Sequence, residues 1–195
     1  MNNTKLFTLT ILIFICFSSF GQENKDSSSK WYSTAEFDVI PPYEVRYGYG
    51  IENRGNRVNL EENLSLGAQY TYNYLLFKKL SIGAVGGFQL RSRPNYFIPK
   101  LGGVIRYFFV DSNNVYIYLH DAVNFSLDKS RFEYGNNFRF GLGFPLLKRP
   151  GFNINANAFF EQNYLHLDGS DPILNDEDPG NLFYKSVGFS LGVKF

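Results

Sequence analysis

The chain has 195 residues, of which 18% are aromatic, 18 are glycine and one is cysteine. Its 19 Lys and Arg balance 18 Asp and Glu, so neither a basic face for nucleic acid nor a strongly acidic surface is expected. One cysteine excludes an internal disulfide and a cysteine-based metal site. The length fits one domain, and the aromatic and glycine content favours a β protein.

Residues 1–21 have the order of a secretory signal peptide. Lys5 precedes an apolar run at residues 6–17, and the small residue Ser19 stands shortly before Gly21. The apolar run is shorter than the roughly 20 residues that a spanning helix needs. We therefore predict cleavage after Gly21, which leaves a mature chain without cysteine and, after loss of Lys5, with no net charge.

Residues 22–42 are predicted to form a periplasmic tail ahead of the folded domain at 43–195. The first part is polar and cannot bury enough apolar area to offset its ordering entropy. Residues 31–40 alternate and would fit a strand, but Pro41 and Pro42 follow, and proline cannot donate to a central ladder. This stretch is therefore interpreted as a lead-in.

Alternation of apolar and polar residues dominates the rest of the chain, as expected where successive side chains face opposite sides of a sheet. The second of the alternating segments is the clearest, because Leu66, Tyr70 and Tyr72 share one face while Gln69 and Thr71 lie on the other. Eight segments alternate in this way, at residues 44–51, 64–76, 80–90, 97–110, 115–127, 134–146, 152–167 and 183–195.

The polar faces of the second, seventh and eighth segments are mostly Ser, Gly, Asn, Gln and Thr. A water-facing surface would be about 25–35% charged, whereas small neutral groups suit a narrow, side-chain-filled lumen. This composition favours a membrane barrel with its apolar face in lipid. A soluble ligand-carrying barrel is the alternative.

The links between segments alternate between short and long. Outer-membrane barrels alternate short periplasmic turns with longer outer loops, so four loops and three turns require eight strands. The sequence therefore predicts an all-β, eight-stranded, antiparallel up-and-down transmembrane barrel. The short links are residues 77–79, 111–114 and 147–151, and the longer ones are 52–63, 91–96, 128–133 and 168–181.

The final segment alternates strictly and ends the chain on an aromatic residue, with Phe189, Leu191, Val193 and Phe195 on one face. This resembles the carboxy-terminal assembly signal of outer-membrane barrels, and the pattern over residues 43–195 resembles OmpA- and OmpX-type eight-stranded barrels. The resemblance implies a place in the outer membrane of a Gram-negative cell. It also implies outer-membrane lipid and the barrel-assembly machinery as partners, and it transfers no catalytic residue.

Charged residues on the polar faces predict a salt-bridge network that fills the lumen, because buried charges are tolerated when they are paired. An ion-conducting path is the alternative, although an eight-stranded barrel is only wide enough for side chains. In the fifth segment Asp121 would face lipid, unless a bulge shifts the register or the residue lies outside the apolar band. The predicted network comprises Glu44, Arg46, Arg106, His120, Arg139 and Glu161.

His120 and His166 are the candidates for catalysis. Lipid A deacylases of this fold use a His-x-Ser-Asn pattern, and neither histidine is followed by it. A looser grouping of His120 with Asp121 or Asn124 is conceivable, against a lumen histidine bonded to polar neighbours. No catalytic residue is predicted, and the chain is interpreted as not being an enzyme.

The last outer loop is rich in carboxylates. Their spacing does not match an EF-hand calcium loop, so a solvated acidic loop is predicted and neither a metal nor a cofactor is expected. The carboxylates are Asp168, Asp171, Asp176, Glu177 and Asp178.

The leading hypothesis is a non-enzymatic outer-membrane protein whose barrel anchors outer loops for adhesion, envelope integrity or binding of an extracellular partner. One alternative is a lipid-modifying enzyme with an unfamiliar active site. Another is an accessory barrel of a secretion or assembly machine that contacts a periplasmic partner through residues 22–42.

Overall fold

The computed structural model describes residues 30–50, 56–174 and 177–195. The signal peptide and the polar part of the tail lie outside the described residues, so both stay predictions. In the described ranges no helix has the length and apolar character to cross a bilayer.

The described residues form a single antiparallel sheet that closes on itself. From β4 to β10 each strand pairs with the next along the chain, and β10 pairs back to β1 and β2. The strands are β1 (Trp31–Ile40), β2 (Pro42–Tyr49), β3 (Asn56–Asn59), β4 (Ser65–Phe77), β5 (Leu80–Ser92), β6 (Asn95–Phe108), β7 (Tyr116–Phe125), β8 (Tyr134–Arg149), β9 (Phe152–His166) and β10 (Pro179–Lys194).

Two of the barrel strands are each made of two pieces. β1 pairs with β4, β2 pairs with β3, and both β1 and β2 lie along β10. Because β1 and β2 follow each other along one line of the wall, and β3 and β4 along the next, the ten pieces build an eight-stranded barrel. The predicted fold is confirmed.

The prediction that residues 31–42 form a lead-in is corrected by the pairing of β1. Glu36 lies opposite Gln69 on one side and opposite Gly192 on the other, so β1 has a hydrogen-bonded neighbour at both edges. The barrel therefore begins at Trp31 rather than at residue 43. Pro41 sits at the break between β1 and β2, where its missing N–H ends one piece without removing the strand from the sheet.

The outer wall is apolar and the lumen side is polar. On β10, Phe189 and Leu191 are exposed on the outside while Ser186 and Ser190 are buried inside. All eight barrel strands carry exposed large apolar side chains, whereas a water-soluble monomer rarely exposes a large contiguous apolar patch. This is the surface of a barrel that contacts lipid.

Aromatic side chains mark both ends of the apolar wall. Trp31 stacks on Tyr72 with ring centroids 4.9 Å apart, at the end of the barrel where β1 begins, and the Tyr134 ring lies 4.8 Å from the His166 ring at the opposite end. Amphipathic rings of this kind favour the boundary between lipid tails and headgroups.

The connections define two ends of the barrel. The turn end carries residues 78–79, 109–115 and 150–151, and the loop end carries residues 50, 93–94, 126–133, 167–174 and 177–178. Residues 52–55 and 175–176 of the predicted loops lie outside the described residues. The order of turns and loops follows the prediction, with corrections in the first two loops. Asn56–Asn59, inside the loop predicted at residues 52–63, form β3. β5 and β6 extend to Ser92 and Asn95, so the loop predicted at residues 91–96 is a two-residue turn.

Candidate functional site

Side chains fill the lumen in three layers from the turn end to the loop end. The turn-end cluster is built of Tyr32, Ile40, Val85, Val104, Phe108, Tyr116, Tyr118 and Phe159. The ionic layer in the middle comprises Glu36, Asp38, Lys100, Arg106, Arg139 and Glu161, all buried. The loop-end plug comprises Val45, Tyr47, Tyr96, Ile98, Phe132, Leu165, Leu167, Leu182 and Tyr184.

Arg139 is the centre of the ionic layer. Its Nη2 donates to Asp38 Oδ2 at 2.9 Å and to Glu161 Oε2 at 2.6 Å, and its Nε donates to the same Glu161 oxygen at 3.0 Å. The guanidinium also lies 3.7 Å from the centroid of the Phe159 ring. The arginine is completely buried, and its two carboxylates and the ring face replace the water that it has lost.

A second ion pair joins Arg106 to Glu36, whose Oε1 lies 3.5 Å from Arg106 Nη2. Arg106 also donates to Asn73 and, at 3.3 Å, to Thr71 Oγ1. Gln69 Nε2 donates to the other Glu36 oxygen at 2.7 Å. Both charged groups are thus held by neutral hydrogen-bonding partners as well as by each other, which is the condition for burying them.

The ionic layer is electrically balanced. Lys100, Arg106 and Arg139 carry three positive charges against the three carboxylates of the layer, and Lys100 Nζ is buried without a protein hydrogen bond to any described residue. The ionic layer as a whole therefore has a net charge close to zero, although its charges are not all matched in one-to-one pairs.

Neutral amides and hydroxyls extend the network above and below the ionic layer. Asn124 Nδ2 donates to Asn163 Oδ1 at 2.5 Å, and Asn163 Nδ2 donates to Gln89 Oε1 at 2.9 Å. Toward the turn end, Tyr116 donates to Asn157 Oδ1 at 2.7 Å. These contacts cross the lumen and link strands that are not neighbours in the wall.

Glycines on the inner face make room for this filling. A Cβ added at Gly143 would lie 2.2 Å from the Tyr116 ring, and one at Gly188 would lie 2.3 Å from the Phe159 ring. Neither position has space for a side chain. The interior is packed to the point at which only glycine fits opposite these rings.

Four of the six predicted network residues lie in the lumen, namely Arg106, His120, Arg139 and Glu161. Glu44 and Arg46 do not, which corrects the prediction. Ser186 faces Pro42 and Lys185 faces Glu44, so the chain has one extra residue between Pro42 and Glu44. This bulge reverses the alternation, turning Val45 inward and Glu44 and Arg46 outward.

The predicted network lacked Glu36, Asp38 and Lys100. Glu36 and Asp38 belong to β1, which the two prolines made to look like a lead-in. Thr34, Glu36 and Asp38 alternate with Ala35, Phe37 and Val39 in the sequence, and that pattern alone is the signal that identifies an inner polar face.

Among the described residues, no catalytic grouping is assembled around His120. It is buried in the lumen, and its Nε2 makes no hydrogen bond to a described residue. Asp121 points to the opposite face of β7, and Asn124 is bonded to Asn163, so the looser grouping predicted around His120 is not assembled.

His166 lies on the outer face at the loop end. Its Nδ1 is 3.4 Å from Asp168 Oδ2, and its ring packs between Tyr134 and Tyr164. A carboxylate beside an imidazole is one part of an acid–base site. None of the hydrogen bonds of the described chain adds a serine or threonine hydroxyl to this pair.

The acidic loop does not gather its carboxylates. Glu177 Oε1 accepts hydrogen bonds from the Ile173 and Leu174 amides, both at 2.9 Å, and from the Tyr47 hydroxyl at 2.8 Å. Asp176 lies outside the described residues. Within the described ranges no group of three His, Cys, Asp or Glu side chains is arranged to hold a metal ion.

Asp121 faces lipid on β7. The pairing of β7 with both neighbours runs without a register shift, so no bulge turns this carboxylate inward. Leu119 and Val123 flank it on the same outer face, and Gly103 lies opposite it on β6. The carboxylate therefore projects from the apolar wall itself.

The residues predicted as an assembly signal lie at the seam where the barrel closes. Phe189, Leu191 and Val193 project outward from β10, and the backbone of Phe195 exchanges two hydrogen bonds with Ser33, of 2.8 and 3.0 Å. The predicted recognition by the assembly machinery stays a prediction.

No protein-family model and no curated protein matches the chain. Among solved structures, the Neisserial surface protein A (NspA) is 13% identical over 85% of this chain and 99% of its own, with a TM-score of 0.44. OprG from Pseudomonas aeruginosa is 13% identical over 86% of this chain and 96% of its own, with a TM-score of 0.40. The outer membrane protein AlkL, solved in lipid bilayers, is 11% identical over 89% of this chain and 93% of its own, with a TM-score of 0.43.

Because all three TM-scores are below 0.5, the assignment to a class of membrane protein rests on the structure of this chain and not on these similarities. A closed eight-stranded barrel with an apolar outer wall, aromatic rings at both edges of that wall and a polar interior is an outer-membrane β-barrel. The protein therefore spans the outer membrane, and its turns and loops lie on opposite sides.

Proposed function

We propose that the protein is a non-enzymatic outer-membrane barrel that holds its loops as a rigid surface for binding an extracellular partner. The observation that carries this proposal is the filled lumen. A barrel whose interior is closed by its own side chains offers its loop end, rather than a passage, as the working surface.

The ionic layer argues against a pore. Arg139 reaches across the interior to Asp38, and the inward glycines leave no room beside the rings that they face. The loop-end plug then closes the mouth, with Phe132 packed against Tyr96 at a ring distance of 5.9 Å. An ion would have to displace both layers to cross.

The loop end is held as one surface. The amide of Asp171 in the last loop donates to the Ser130 carbonyl in the neighbouring loop at 2.8 Å, and the Tyr47 hydroxyl donates to Glu177 at 2.8 Å. Leu127 and Leu174 lie in these two loops, and their side chains are 73% and 45% exposed. Exposed apolar side chains on anchored loops favour a protein partner.

The first test is conductance across a planar bilayer. We expect no stable channel from protein whose folding is verified by its heat-dependent shift on a detergent gel. Steady ohmic channels from the folded fraction would contradict the closed lumen and would make a pore the leading hypothesis.

The second test places a photo-crosslinking amino acid at Leu127 or Leu174 in intact cells. We expect an adduct from these positions and none from a control at Lys78, which lies in a turn at the opposite end. If the three positions give the same adducts, or none, the loop end is not a binding surface.

A lipid-modifying enzyme is the second candidate, and the contact between His166 and Asp168 is the observation that favours it. His166→Ala would then change the mass spectrum of lipid A relative to wild type. An unchanged spectrum in both the variant and a gene deletion supports the non-enzymatic proposal.

The accessory-barrel hypothesis now depends on fewer residues, because Trp31–Ile40 belongs to the barrel wall. Only the polar residues ahead of β1 remain to contact a periplasmic partner. Deletion of residues 22–29 in a pull-down tests this: equal recovery of partners with and without the segment counts against it.

A further inference from the structure

Four charged side chains project outward from the wall at the loop end, and we call them the cationic rim patch: Glu44 and Arg46 on β2, Arg57 on β3 and Lys185 on β10. Arg57 lies opposite Gly48 in the register of β2 and β3, while Val58 beside it packs on the loop-end plug. Alternation therefore turns Arg57 to the outside, on the same face as Arg46.

The patch carries an excess of positive charge. Glu44 contacts both Arg46 and, at 2.9 Å, Lys185 Nζ, so one carboxylate is shared by two cations. Arg57 makes no ion pair with any described residue and is exposed. Among the four described side chains of the patch, three cations against one carboxylate leave two positive charges.

The cations remain accessible to a ligand. The Arg46 side chain is 49% exposed and that of Lys185 27%. Arg46 contacts Glu44 through Nε, so the guanidinium edge formed by its two Nη groups is not the one in that contact. A guanidinium edge of this kind matches the paired oxygens of a phosphate group.

The patch joins the apolar wall without a gap. Val187 and Phe189 follow Lys185 along the outer face of β10, and both are exposed. Lys185 Nζ also lies 5.7 Å from the Phe183 ring, so an aromatic ring accompanies the charge at this level. A molecule with a phosphate headgroup and acyl chains would meet charge and apolar surface in the order in which lipid presents them.

We propose that the cationic rim patch binds the phosphate headgroup of an outer-leaflet lipid, with the acyl chains lying against Val187 and Phe189. Arg46 and Arg57 hold the phosphate oxygens, and Lys185 supplies a further positive charge at the edge of the hydrocarbon. Glu44 limits the affinity because it partly neutralises two of the three cations. The site goes beyond the proposed function of the loops and does not depend on it.

The test uses the full barrel in detergent micelles, with native mass spectrometry counting bound diphosphorylated lipid A. The variant Arg46→Gln with Lys185→Gln should bind roughly thirtyfold more weakly, since each of the two basic groups near an anionic lipid surface contributes about 1 kcal/mol. The matched control, Lys78→Gln with Lys79→Gln, removes the same number of charges at the turn end and should bind as wild type does.

Two further measurements keep the proposal testable if the double variant does not fold. Arg57→Gln alters only the short β3 and should also weaken binding, whereas Glu44→Gln should strengthen it, because both cations are released to the phosphate. Opposite signs for these two variants support the site. Equal affinity in all variants, or a Glu44→Gln variant that binds more weakly, would overturn it.

The source of the phosphate is settled with two additional probes. Dephosphorylated lipid A should bind to wild type no better than diphosphorylated lipid A binds to the double variant. Inorganic phosphate should compete only weakly, because it lacks acyl chains to contact the wall. Full competition by inorganic phosphate, or binding that does not depend on the lipid phosphates, contradicts a lipid headgroup site.

Discussion

Arg139 on β8 donates a 2.9 Å hydrogen bond to Asp38 on β1, and this contact joins two strands that β9 and β10 separate in the wall. The two residues are 101 positions apart in the chain. The pair therefore fastens the first strand of the barrel to its far side through the interior, in addition to the hydrogen bonds of the wall.

Removal of the carboxylate from this pair should destabilise the barrel. Asp38→Asn leaves Arg139 buried with one carboxylate in place of two, and we expect the free energy of unfolding to fall by about 3 kcal/mol. Urea unfolding in lipid vesicles, followed by the fluorescence of the single tryptophan, measures the change. Glu62→Gln, in an exposed stretch, serves as the control and should stay within about 0.5 kcal/mol of wild type.

Asp121 should have the opposite effect. Its carboxylate projects into lipid between Leu119 and Val123, so Asp121→Leu should stabilise the folded barrel by about 1 kcal/mol in vesicles. Val123→Asp, on the same face, should destabilise it. Unfolding in vesicles measures both, and a loss of stability in Asp121→Leu would show that the carboxylate has a partner in the membrane.

Phe132 should limit the access of a protease to the loop that carries it. Its ring is buried in the loop-end plug, and truncation of a buried Phe costs about 3–5 kcal/mol. Phe132→Ala should therefore release this loop and raise the rate of trypsin cleavage at Lys129 and Arg131 by a factor of roughly ten or more. Leu127→Ala, whose side chain is exposed, should leave the rate unchanged. Equal rates for the two variants would show that Phe132 does not anchor the loop.

Asp128 should titrate at low pH. The hydroxyl and the amide of Ser130, the latter 3.0 Å from Oδ1, hold the pKa of Asp128 below its ordinary value. Because the pKa is lowered, the stabilisation of this turn is present at neutral pH and is lost as pH falls through the folded-state pKa. Ser130→Ala should raise this pKa in a carbon-13 NMR titration.

Asp111 provides the internal reference for that titration. Its pKa is lowered chiefly by the amide of Asn113, which donates to Oδ1 at 2.8 Å in a turn at the other end of the barrel. Ser130→Ala should leave this pKa unchanged. A parallel shift of both carboxyl groups would point to a change in the whole barrel and not in one turn.

The alternation in the sequence predicts β4 to β10 because each has one lipid face and one lumen face. The two-residue period then assigns the side chains of β8, for example, so that Phe138 lies outside and Arg139 inside, as observed. The strand ends differ by a few residues. The extension of β5 to Ser92 and the start of β6 at Asn95 shorten the second loop, because alternation does not show where pairing stops.

The errors concentrate at the first barrel strand, and they have two causes. Pro41 and Pro42 interrupt the strand, and the bulge that follows inserts one residue and reverses the alternation. A fixed period of two cannot anticipate that reversal. The assumption that the polar face of each segment lines the lumen placed Glu44 and Arg46 inside, whereas Glu36 and Asp38 lie there, and the partner of Arg139 across the lumen was missed.

The divided first strand also shapes the seam at which the barrel closes. β10 pairs with β1 from Lys194 to Phe189 and with β2 from Ser186 to Pro179, so two separate sets of hydrogen bonds fasten the last strand. The seam therefore consists of two hydrogen-bonded segments and not of one continuous pairing. Loss of the pairing between β10 and β2 at the loop end would leave the pairing between β10 and β1 at the turn end in place.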